Sequence, residues 1–70
     1  MPLSMMDLGV PAKIQKVLGK DETRKFLENL GFVSGSEVTV VNELGGNLIV
    51  NIKDTRVALS RALANKIMIS

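Results

Sequence analysis

Apolar positions along this chain change their spacing between Thr23 and Val41, and the rest of the sequence can be laid out around that change. Thr23, Phe26, Leu27 and Leu30 stand at i, i+3, i+4 and i+7, one face of a short helix. Gly31 follows directly, where helices often end on a residue at positive φ, and Phe32 is placed to fold back on Leu27. After Ser34-Gly35, Val38 and Val40 alternate with Glu37 and Thr39, so the period falls from 3.6 to 2. The stretch predicts a helix, a glycine stop, a tight turn and a strand.

Residues 1–11 mix apolar residues with Pro and Gly and are read as a lead-in or lid, with Leu3, Met6 and Leu8 laid across the domain. Residues 12–70 are read as a single domain. Ala12 to Leu18 predicts the first strand. Ile14 and Val17 are three apart and would face opposite sides, so a bulge near Gln15-Lys16 is expected to turn both inward. Asp21 is placed as the helix N-cap, with Glu22 in the first turn.

Glu37 to Ile52 predicts a hairpin whose parity is informative. A two-residue loop at Gly45-Gly46 would set Val40 beside Asn51, splitting the apolar face. An odd-length connection instead groups Val38 and Val40 with Val50 and Ile52, and is the expectation here. Asp54-Thr55 predicts a second turn, Arg56 to Leu59 a short strand, and Ser60 the cap of one helical turn. Ile67 and Ile69 close the chain as a last strand, with Lys66 and Met68 outward. Five short strands, one helix between the first and second, and a helical turn before the last predict a mainly β, small closed barrel.

Composition narrows the chemistry. With no His and no Cys, the chain lacks the usual neutral-pH base and the best thiol nucleophile. Of its carboxylates only Asp21-Glu22 are adjacent, where a helix start favours acids, and no phosphate-binding loop opens a helix. The expectation is no enzyme, no cofactor and no catalytic residue. Zinc, copper and iron sites of the usual kind need imidazole or thiolate, so no metal ligand is assigned either. The net charge is +2, from basic residues whose longest run is Arg24-Lys25, and both Phe residues are expected in the core, so nucleic-acid binding is not expected. No apolar run is long enough to span a bilayer and no secretory signal pattern opens the chain, so a cytoplasmic location is expected.

Protein binding remains. Val41, Ile49 and Met68 are apolar on the phase that should face outward. With Lys53 and Lys66 at their flanks they form the candidate partner-binding set. Self-association through the apolar three is compatible with this reading.

Two motifs in order carry a family resemblance. Leu27-Glu28-Asn29-Leu30-Gly31-Phe32-Val33-Ser34-Gly35-Ser36-Glu37-Val38-Thr39-Val40 matches Leu-x-x-Leu-Gly-φ-x-Pro-Gly-x-x-φ-x-φ, where φ is apolar. Val57-Ala58-Leu59 and Leu63-Ala64-Asn65-Lys66-Ile67-Met68-Ile69 match a second block, an apolar-Ala-Leu step followed by Leu-Ala-x-x-Ile-x-φ. The chain thus resembles the FeoA family of bacterial ferrous iron transport, and the related C-terminal domain of DtxR-type repressors. The resemblance implies an SH3-like barrel and an accessory role beside FeoB, the membrane permease with a GTPase domain. A transition-metal-binding label travels with the family, though no ligands here support it. A peptide-binding regulatory module of repressor type is the alternative, and a small nucleic-acid-binding barrel a more distant one. Ser34 departs from the family's Pro, which is expected to loosen the turn at residues 33–35.

Overall fold

The helix that the spacing predicts runs over Asp21–Asn29 (α1) in the computed structural model, which describes residues 1–70. It ends as expected at Gly31, whose φ is +110°. The Phe32 N–H donates to the Leu27 carbonyl at 3.0 Å and the Gly31 N–H to the Glu28 carbonyl at 2.9 Å, the paired bonds of a Schellman cap. Its start differs from expectation. Lys20, in extended backbone, takes the N-cap position without a side-chain bond, and Asp21 is already helical. Asp21 and Glu22 therefore act through the dipole in the first turn, and Asp21 also pairs with Arg24.

Phe26 also differs: it is 53% exposed, whereas Phe32 is fully buried. Leu27 is the α1 residue centred on the core, and Phe26, about 100° round the helix, falls on the flank.

Five antiparallel strands complete the fold: β1 (Ala12–Val17), β2 (Glu37–Leu44), β3 (Asn47–Ile52), β4 (Thr55–Ser60) and β5 (Ile67–Ile69). Their order across the sheet is β4-β3-β2-β1-β5. The expected bulge in β1 is present: Ile14 pairs with Ile69 and Lys16 with Met68, leaving Gln15 extra. The turn after α1 is stitched to that bulge. The Ser34 hydroxyl donates to the Gln15 carbonyl at 3.0 Å, and the Gly35 N–H to the Ile14 carbonyl at 2.8 Å. Ser34 therefore ties down the turn that the absence of Pro was expected to loosen.

In the β2–β3 hairpin the register expected for the core is present but the device is different. Leu44 pairs with Asn47, so the loop is the two residues Gly45-Gly46, both at positive φ. Parity is restored by a bulge at Val41: Asn42 pairs with Ile49, yet Val40 pairs with Val50 and Val38 with Ile52. One extra residue in the strand does what one extra residue in the loop would have done. The next turn is Lys53-Asp54, one residue earlier than expected, with φ of 48° and 63° and Ile52 paired with Thr55.

Ser60 caps the short helix α2 (Arg61–Ala64), its Oγ accepting the Leu63 N–H at 3.2 Å. A 3₁₀ turn at Leu3–Met5 packs beside α2 and β5 and buries Leu3 in the core, with Met6 partly buried. Leu8, by contrast, is exposed. The core is aliphatic around Phe32 and contains no buried polar side chain.

Candidate protein-interaction surface

Alternation along β2, β3 and β4 turns Val38, Val40, Val50, Ile52 and Leu59 into the core, and so fixes what the outer face presents. The register lays that face out in rows. Thr39, Asn51 and Arg56 form one row across the three strands, and the Arg56 Nε donates to the Asn51 Oδ1 at 3.2 Å. Asn42, Ile49 and Ala58 form the next, with bulged Val41 beside it. Leu44 and Asn47 end the hairpin, where Leu44 is 61% exposed. The face is thus polar at the Lys53-Asp54 end, and toward the Gly45-Gly46 tip it sets Val41, Ile49, Ala58 and Leu44 among Asn42, Asn47 and Ser60.

A shallow polar depression occupies the first end, bounded by Ser36, Glu37, Thr39, Asn51, Asp54 and Arg56. No side-chain N or O atom is buried there without a partner. Its carboxylates do not converge: no three acidic residues of the chain come together in a metal-binding group. The sequence holds no His or Cys, so the face presents no imidazole or thiol.

The five candidate residues lie in three places. Val41 and Ile49 are neighbours on the hairpin, both half-buried. Lys53 occupies the β3–β4 turn and lays its side chain toward Gly31, where an added Cβ would stand 3.5 Å from the Lys53 Cδ. Met68 pairs with Lys16 across β1 and is bridged by Pro2, and Lys66 reaches over Gly19. β1 separates Met68 from the hairpin. Leu44 and Phe26, both exposed, are apolar surface residues that the pattern did not single out. Leu44 was hidden by the bulge, which reverses the in–out phase of the hairpin tip.

Comparison with known proteins bears directly on this fold. The model of the FeoA domain matches residues 1–70, the whole chain. The chain belongs to the FeoA family. Members of this family take part in ferrous iron transport, and the five-stranded FeoA fold is SH3-like. An iron uptake regulatory protein, FeoA, superposes with a TM-score of 0.90 at 26% identity, covering 99% of this chain and 93% of that one. Stenotrophomonas maltophilia FeoA, complexed with zinc, does so at 0.88 and 33% identity, covering 100% and 89%. It is described as a procaryotic SH3 domain protein and a candidate ferrous iron transport activating factor. A manganese-dependent transcriptional repressor reaches 0.86 at 18% identity over 99% of this chain and 40% of its own, a likeness of fold alone. No match is found among curated protein sequences. The family is one of accessory proteins and is not known as an enzyme family, and no helix of this chain is long and apolar enough to cross a membrane.

Proposed function

We propose that this FeoA-family chain works in the cytoplasm as an accessory to a FeoB-type permease, binding its GTPase-bearing portion through the outer face of the β2–β3 hairpin. The observation that carries the reading is the family match over the whole chain. The surface is chosen on chemistry: Val41, Ile49 and Leu44 offer apolar area next to a polar row that can supply hydrogen bonds at the rim. Regulation of transport by contact needs no catalytic group and no bound metal on this chain, which agrees with a sequence free of His and Cys. The zinc of the Stenotrophomonas protein belongs to that molecule and assigns no ligand here.

The test is a titration of the purified chain against the soluble GTPase portion of the FeoB-type permease, with and without guanine nucleotide. Saturable binding that Val41→Ser with Ile49→Ser weakens supports both partner and surface. Binding that survives the double substitution keeps the partner and discards the surface. No binding at high micromolar concentration overturns the reading.

A further inference from the structure

The two edges of the sheet are finished differently. β5 is covered: the Ile69 N–H donates to the Met1 carbonyl at 2.8 Å, the Met1 ammonium donates back to the Ile69 carbonyl at 3.1 Å, and Pro2 bridges Met68. Pro2 has no N–H to offer a further strand. β4 is bare. It pairs with β3 alone, and no backbone bond from a loop or another strand reaches residues 56–59.

Which groups are free follows from the turn. In a two-residue hairpin the residues flanking the loop form a hydrogen-bonded pair, here Ile52 and Thr55, and such pairs alternate along the ladder. Val57 and Leu59 therefore bond inward to β3, and the N–H and C=O groups of Arg56 and Ala58 point away from it. Open edges are commonly guarded by Pro, a bulge or an outstretched charge. β4 has no Pro and no bulge. Its one charged side chain, Arg56, is laid back over the sheet onto Asn51 and does not guard the edge.

We propose that the open edge of β4 joins two copies of this chain, their β4 strands running antiparallel across a two-fold axis at Ala58. The edge is complementary to itself in that register. With Ala58 opposite Ala58 of the second copy, Arg56 falls opposite Ser60 and Val57 opposite Leu59, so no like charges meet. Matching parity keeps the inward faces continuous, and half-buried Val57 gains an apolar neighbour. Ala58 is exposed and small, so the strands can close to ladder distance. A net charge of +2 sets little repulsion between copies. A foreign strand could use the same backbone groups, but Arg56 and Ala58 make no pocket that would select its side chains. The inference is independent of the permease partnership.

The experiment is sedimentation velocity on the whole chain from about 10 μM to about 1 mM, a range suited to a small interface. The wild type is expected to pass from monomer to dimer. Ala58→Pro removes an N–H that the β3–β4 ladder does not use, and is expected to stay monomeric with an unchanged circular dichroism spectrum. Ala58→Cys gives the chain its sole thiol. In the proposed pair the two Cα atoms lie about 5.5 Å apart, within disulfide reach. Under mild oxidation it is expected to cross-link roughly tenfold faster than Lys16→Cys on β1. If Ala58→Pro does not fold, the thiol pair decides. A wild type that stays monomeric at about 1 mM leaves the edge to other proteins and overturns the proposal. A dimer that survives in folded Ala58→Pro, or cross-linking no faster than at position 16, overturns it equally.

Discussion

Phe32 donates its backbone N–H to the Leu27 carbonyl at 3.0 Å, and both side chains are wholly shielded from solvent. The helix is thereby closed and anchored by one pair of residues: the hydrogen bond ends α1, and the apolar contact fixes the direction in which the chain leaves it. The geometry depends on Gly31 at φ +110°, where an added Cβ would stand 3.4 Å from the Ile52 Cγ1 and 3.5 Å from the Lys53 Cδ. Gly31→Ala is expected to cost about 1–3 kcal/mol. Thermal unfolding checks it, since a domain this small loses roughly 4–8 °C per kcal/mol. An unchanged melting temperature would mean that the cap is not what holds the helix to the barrel.

Within α1, neighbouring residues are expected to behave oppositely. Leu27 is wholly buried, so Leu27→Ala should cost about 2–5 kcal/mol. Phe26, 53% exposed, should tolerate Ser within about 0.5 kcal/mol. Leu30 is half-buried against the core and should fall between them. Urea unfolding of the three variants checks the order, and a Phe26→Ser loss as large as that of Leu27→Ala would place the ring in the core.

Much of this architecture was legible because it follows from parity. Ile14 and Val17 cannot both face inward in a regular strand, so a bulge was required, and Gln15 supplies it. The hairpin posed the same problem, but parity has more than one solution. An odd loop and a bulged strand both keep Val38 and Val40 on the face of Val50 and Ile52, and the alternation of apolar residues does not choose between them. The choice went to Val41 because Gly45-Gly46 so readily adopts the turn with both residues at positive φ. That choice also re-phased the tip, bringing Leu44 outward, which is why the candidate surface was read only in part. Phe26 was misread for a different reason. Helical spacing shows which residues share a stripe but not how wide the buried part of the stripe is, and only Leu27 of α1 is fully covered. Lys20 as N-cap leaves no sequence signal, because its side chain caps nothing.

The hairpin tip can be stabilised. Gly45 sits at φ +56° with open space around its would-be Cβ, a conformation that Asn adopts readily. Gly45→Asn should raise stability by about 0.4–1 kcal/mol, chiefly by narrowing the unfolded ensemble. Gly45→Val should lower it, because a β-branched residue resists positive φ. Chemical denaturation of the pair checks both signs. A three-residue loop would not show this contrast.

The docking face is tested by separating its stability from its binding. Val41 and Ile49 are both half-buried on the outer side of the hairpin, so replacing each with Ser should cost only about 0.5–1 kcal/mol, less than the full transfer energy of a core side chain. The double variant should therefore stay folded at 25 °C. If the face binds the permease's GTPase portion, the apolar area lost there is desolvated only in the complex, and affinity should fall at least about tenfold, or 1.4 kcal/mol. Calorimetric titration alongside thermal unfolding reads both quantities on one sample. Lys53→Ala, at the polar end of the same face, should act mainly on the association rate and its salt dependence, since a rim charge steers encounter more than it holds the complex. A double variant that binds as tightly as the parent would move the contact off the hairpin. Exposed Phe26 on α1 would then be the next apolar surface to substitute.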